Sequence, residues 1–141
     1  MSEIKNMSLN GFFKNKAKQV NDVRVVVSER FLDEEGKPLE WVLHPLSTKA
    51  VQEINKKNTV TKLVNGKRVE ETNNENLEAD LLEKAVLFPR LNDAELQDSY
   101  GVTNVNDLLS TMLYPGETQT LREALEDVMS GKANTVSELK N

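Results

Sequence analysis

Leu87-Phe88-Pro89-Arg90-Leu91-Asn92-Asp93-Ala94-Glu95-Leu96-Gln97-Asp98-Ser99-Tyr100-Gly101-Val102 is the stretch on which the reading of this chain turns. Pro89 cannot continue a helix arriving from upstream, because its ring removes a backbone donor and clashes with the preceding turn. Before it, Leu77, Leu81, Leu82, Ala85 and Phe88 recur at helical spacing, which predicts a helix over about 76–88 with those residues on one face. After it, Asn92 is expected to cap a second helix, with Glu95 three residues later able to accept from the Asn92 backbone N–H. Leu91 and Leu96 stand at the spacing of a hydrophobic staple, and Gly101 supplies a left-handed end.

Further along, Asn104 caps a third expected helix whose apolar face is Val105, Leu108, Leu109, Met112 and Leu113. Pro115-Gly116 interrupts the chain again. A fourth helix then carries Leu121, Ala124, Leu125, Val128 and Met129 on one side and closes at Gly131. Four punctuated helices over 75–129 make a packing unit, with no catalytic constellation among them.

Upstream, the pattern changes. Residues 1–7 read as a frayed terminus. Ser8 can cap a short helix with Leu9, Phe12 and Phe13 as its apolar patch and Lys14, Lys16 and Lys18 behind it, expected to dock on the protein's own core rather than on a membrane. Val23, Val25 and Val27 alternate within a strand over about 22–31, Asp33-Glu34-Glu35-Gly36-Lys37-Pro38 forms a turn, and a second strand over about 39–46 pairs back with Trp41 and Leu43 inward. Ser47 or Thr48 caps a helix holding Ala50, Val51 and Ile54, with Leu46 and Val51 at staple spacing. Asn65-Gly66, flanked by Val60, Leu63, Val64 and Val69, predicts a hairpin over 59–71, and Thr72-Asn73-Asn74 a polar link. The fold class is therefore α+β: small antiparallel hairpins and short helices, then a cluster of about four helices. One domain is expected over 1–131, with 132–141 as a flexible tail.

The 141 residues suffice to bury a core, and with only 5% aromatic residues that core must be mainly aliphatic. Without cysteine there is no disulfide, thiol nucleophile or cysteine zinc site. No apolar run approaches the roughly 18 residues of a membrane span, and no signal peptide is read, so a cytoplasmic location is expected. The net charge of −5 is unevenly spread: residues 75–129 hold twelve acids against three bases, a net of −9, and the remainder is +4. Concentrated positive charge is what phosphate binding requires, so nucleic acid is disfavoured as a partner.

Chemistry-bearing patterns are sparse. His44 is the lone histidine and precedes a proline on an expected strand, a setting for a hydrogen-bonded or surface residue. Asp33, Glu34 and Glu35 lack the ligand spacing of a calcium loop. Glu126 and Asp127 are neighbours on a helix and point apart. No phosphate-binding glycine loop or nucleophile elbow is present. No catalytic, metal or cofactor residues are assigned.

Val26-Val27-Ser28-Glu29-Arg30-Phe31-Leu32-Asp33-Glu34-Glu35-Gly36-Lys37-Pro38, followed by a strand and Pro45-Leu46, resembles the opening of the XkdN-like phage tail assembly chaperones. Phe88-Pro89, Asp93-Ala94-Glu95-Leu96-Gln97, Tyr100-Gly101-Val102 and Leu108-Leu109-Ser110-Thr111-Met112-Leu113-Tyr114-Pro115-Gly116-Glu117 follow in that family's order, so the likeness covers about 12–129. The segments 65–74 and 132–141 match least. The resemblance implies a non-enzymatic protein without a cofactor that works in the bacterial host. It would bind the tape measure protein, help deliver major tail tube subunits, and be absent from the mature virion. Some genes of this kind also yield a longer frameshifted product.

A long helical partner would suit an apolar groove between helices, and Leu108, Met112, Leu125 and Met129 are the candidate contact residues. Self-association through the same surface is a further expectation. Two rivals stand beside this reading: a structural tail component or head–tail adaptor, and a small ligand-binding domain or enzyme using His44 and carboxylates.

Overall fold

In a computed structural model the described residues run from 7 to 131, so the expectations for 1–6 and for 132–141 lie outside them. Two sheets and five α-helices form a mixed α+β fold whose C-terminal half is helical. The first sheet is antiparallel, in the order β1-β2-β5, from β1 (Val23–Val25), β2 (Trp41–Leu43) and β5 (Val86–Phe88). The second is the hairpin of β3 (Thr59–Val64) and β4 (Lys67–Thr72). The helices are α1 (Thr48–Lys57), α2 (Asn74–Ala85), α3 (Ala94–Ser99), α4 (Val105–Met112) and α5 (Pro115–Ser130).

Period-two alternation places Trp41 and Leu43 inward from β2, where both are fully buried against the helical half. Leu91, Leu108 and Leu121 are buried with them, and α5 packs across β1 and β2. The long β1–β2 connection is tightened by Asp33, whose Oδ1 accepts from the Glu35 and Lys37 N–H groups at 2.8 and 2.9 Å. The strands are shorter than the apolar runs suggested. β1 and β2 pair with each other over only three residues.

Helix ends show where local chemistry wins. Asn104 caps α4 as its sequence predicts, accepting from Asp107 N–H at 2.8 Å, and Ser47 caps α1 by accepting from Ala50 N–H at 3.1 Å. Gly101 adopts φ +69°, so its N–H reaches Asp98 O at 3.0 Å and the Val102 N–H reaches Gln97 O at 3.1 Å. That pair of bonds is a Schellman motif closing α3. The hairpin turn is also as expected. Asn65 at φ +52° and Gly66 at φ +77° form the two-residue left-handed turn that matches strand twist.

Four expectations are corrected. The helix expected to reach Phe88 ends at Ala85, and Val86–Phe88 is a strand on the free edge of β2. A residue before proline is pushed out of the helical region, Val86 is β-branched, and the open edge supplies ladder partners. Phe88 is consequently half exposed rather than on a buried face. The cap of α3 is Asp93, not Asn92: its Oδ1 accepts from Leu96 N–H at 2.9 Å, and a carboxylate gains from the positive helix N-terminus. Thr72-Asn73-Asn74 is no link, since Thr72 ends β4 and Asn73 already caps α2 by accepting from Asn76 N–H.

The N-terminal patch does not dock on the core. Asn10–Phe12 forms a single 3-10 turn, and Phe12 is 81% exposed. One short turn interrupted by Gly11 offers no apolar stripe long enough to pack.

Candidate interaction surfaces

Leu108 and Met112 lie one turn apart on α4, as do Leu125 and Met129 on α5, and all four belong to one apolar cluster. Leu108 is 0% exposed, and Met112 and Leu125 are each 7% exposed; only Met129 is half-buried at the margin. In this conformation a partner can touch Met129 directly, while the other three are covered by the chain itself.

Over another part of this cluster α2, α4 and α5 leave a groove of about 240 Å³. Its floor is Ala79, Leu82, Leu109, Leu113 and Leu121, and its rim carries Glu75, Glu78, Asn106, Ser110, Thr118 and Arg122. Arg122 and Glu78 form an ion pair across it at 3.1 Å.

A second cluster joins the two halves of the chain. The Arg30 guanidinium donates through Nε and Nη2 to both Glu117 carboxylate oxygens, at 3.0 and 2.6 Å, and through Nη2 to Met112 O at 2.9 Å. Its Cζ lies 4.8 Å from the ring centroids of both Phe31 and Tyr114. Glu117 Oε1 also accepts from the Tyr114 backbone N–H at 2.9 Å, satisfying a free donor at the start of α5. The Arg30 hydrogen bonds hold the Glu117 carboxyl at about 2, with Ser28 and the Tyr114 N–H acting in the same direction against partial burial. The same pairing raises Arg30. Sequence reasoning quoted Arg30 and Glu117 within separate stretches and missed that they meet. Their opposite charges, in the two stretches that mark the resemblance, were the available signal.

His44 sits at the end of β2 with its Nδ1 against Asp22 Oδ1 at 2.5 Å, both side chains well exposed. Among the described residues no group of three or more His, Asp or Glu side chains is arranged to hold a metal ion, and no helix is long and apolar enough to cross a membrane.

The hairpin is an exposed arm of the fold. All of β3 beyond Val60 and all of β4 before Thr72 is solvent-facing, with Leu63 76% exposed. It is tied down only at its base. There Asn73 N–H donates to Asn58 O at 2.8 Å, and Asn58 Nδ2 donates to Asp80 Oδ2 at 2.9 Å. Val60, Val64 and Val69 share one face of this arm.

Comparison with known proteins places the fold and the chain. The crystal structure of the protein YqbN superposes with a TM-score of 0.72 over 86% of this chain and 96% of that one, at 21% identity. In sequence, the chain is 25% identical to the phage-like element PBSX protein XkdN of Bacillus subtilis (strain 168), over 77% of this chain and 74% of that protein. It is 27% identical to the uncharacterized protein YqbN of the same organism, over 82% and 80% of the two chains. The family model for the phage XkdN-like tail assembly chaperone protein matches residues 9–139, nearly the whole length. This chain belongs to the XkdN-like phage tail assembly chaperones.

Proposed function

We propose that this protein binds the tape measure protein while a phage tail is being built and helps recruit major tail tube subunits to it. It does so without catalysis or cofactor, in the host cytoplasm, and is absent from the finished virion. The observation that carries the reading is family membership over 9–139. The surface supports it: the helical half is strongly acidic, and its α2–α4–α5 groove pairs an aliphatic floor with a polar rim. A long amphipathic helix lays its apolar face into such a groove, and the surrounding acids set its orientation. Met129, outside the groove's lining, is a further directly presented contact in this proposal. Leu108, Met112 and Leu125 contribute where α4 and α5 part to admit the partner. Residues 1–131 act as one unit in this proposal.

The test is co-expression of the tagged chain with tape measure and tail tube proteins from the same locus, together with a protein inventory of purified particles. Capture of either partner, with none of this chain in finished particles, is the expected result. No capture with the chain present in particles would establish a structural tail component instead.

A further inference from the structure

We infer that the outer edge of β4 is a self-recognition edge, through which two copies of this protein join into one four-stranded antiparallel sheet in the order β3-β4-β4-β3. This goes beyond the binding of tail proteins and does not depend on it.

Among the described residues the backbone leaves β4 as a free edge. Its packing is on β3, and Lys67 through Glu71 are exposed. Val64 and Lys67 flank a two-residue turn and therefore exchange hydrogen bonds with each other, and hydrogen-bonded pairs alternate along an antiparallel ladder. Lys67, Val69 and Glu71 thus spend their backbone groups on β3. Arg68 and Glu70 direct theirs outward, with no backbone partner among the described residues, as an edge open to another strand.

The side chains say which strand. β4 reads Lys67-Arg68-Val69-Glu70-Glu71, whose charge changes sign about Val69. An antiparallel two-fold centred on Val69 sets Lys67 against Glu71 of the second copy and Arg68 against Glu70 of the second copy, each twice. Opposite charges directly across a ladder stabilise it and like charges destabilise it. Val69 meets its own symmetry mate as a non-hydrogen-bonded pair, the arrangement that brings side chains closest.

Backbone and charge select the same register. In it, Arg68 and Glu70, the residues with outward backbone groups, face each other and exchange four hydrogen bonds across the two-fold. Sliding by one residue sets outward groups against inward ones. Sliding by two restores the bonds but places Arg68 against Arg68, or Glu70 against Glu70. The contact is isologous and closes after two copies. Antiparallel pairing also leaves the two bodies at opposite ends, each separated by an arm of roughly 20 Å. A strand edge of this length buries less than the roughly 1,200 Å² of a standard interface, so the dimer exchanges rapidly.

The experiment is sedimentation velocity on the full chain up to about 1 mM, where an association this weak becomes populated. Wild type should shift from monomer to dimer with concentration. Arg68→Glu and Glu70→Arg each set like charges across the two-fold and should weaken the dimer by about tenfold or more, while their equimolar mixture regains it as a heterodimer. Neither change touches the Lys62–Glu71 ion pair within the hairpin. Glu70→Pro removes only an outward N–H and should also give a monomer, with an unchanged circular dichroism spectrum. A wild-type chain that stays monomeric throughout, a dimer indifferent to these changes, or a mixture that fails to re-associate would each overturn the inference.

Discussion

Replacing Leu108 by alanine should unfold this protein more readily before it does anything to partner binding. Leu108 is wholly buried on α4, in one cluster with Leu121 and Trp41. The substitution removes three carbons, about 2.4 kcal/mol at about 0.8 kcal/mol per buried methylene. The cavity left among rigid neighbours raises this to about 3–4 kcal/mol, inside the range seen for buried leucines. Alanine is a good helix former, so α4 itself loses nothing. For a domain of this size the melting temperature should fall by about 10–15 °C. Urea unfolding followed by fluorescence measures the loss directly, because Trp41 is the sole tryptophan and is buried in the same cluster. Met129, at the margin, should cost about 1 kcal/mol or less as alanine. A Leu108→Ala loss below about 1 kcal/mol would refute the assignment of Leu108 to a closed core. It would mean that α4 already stands apart from the rest of the core cluster in solution.

Other consequences follow from the Arg30–Glu117 clamp and from the element ends. The Glu117 carboxyl is depressed from an ordinary 4.5 to about 2, so its contribution to stability is complete above about 4.5 and is lost as pH falls towards 2. Urea midpoints between pH 6 and 2.5 should therefore drop more steeply for wild type than for Glu117→Gln; parallel curves would contradict the Arg30 pairing. Asp93→Ala should cost about 1 kcal/mol by loss of the α3 cap, whereas Asn92→Ala should be near neutral, and the reverse order in chemical denaturation would restore Asn92 as the cap. Gly66→Val forces a β-branched residue to φ +77° and should speed amide exchange along 60–71 while leaving α4 and α5 protected. Uniform loss of protection would show that the hairpin is integral to the core.

Much of this fold was legible because its signals are local. Asn104, Ser47, Gly101 and Asn65-Gly66 each settle a backbone question within a few residues, and each behaves in the structure as its chemistry predicts. Where a distant partner decides, local reading fell short. Leu87 and Phe88 extend the apolar pattern of α2, yet the chain leaves the helix because Pro89 disfavours it and the edge of β2, more than forty residues earlier, accepts a strand. Asn92 and Asp93 are both competent caps, and the electrostatic preference of a helix N-terminus for a carboxylate separates them. The N-terminal phenylalanines looked like core residues by type alone, but one short turn cannot present them.

The interaction surface was harder still. Helical periodicity identifies an apolar face without saying whether protein or partner covers it, and here Leu108, Met112 and Leu125 are covered by the chain itself. The Arg30–Glu117 clamp spans 87 positions, so no window of sequence contains it. The surface that does remain open, the hairpin arm, lies partly in the segment that matched the family least, where resemblance offered no guidance.

The most direct measurement is a binding titration of the purified chain against purified tape measure protein, with wild type and Met129→Glu compared at matched stability. The account predicts a saturable complex for wild type and clear weakening for Met129→Glu, with the fold confirmed by circular dichroism. Absence of any complex with wild type, under conditions where both proteins are folded, would contradict the claim that this chaperone acts on the tape measure protein.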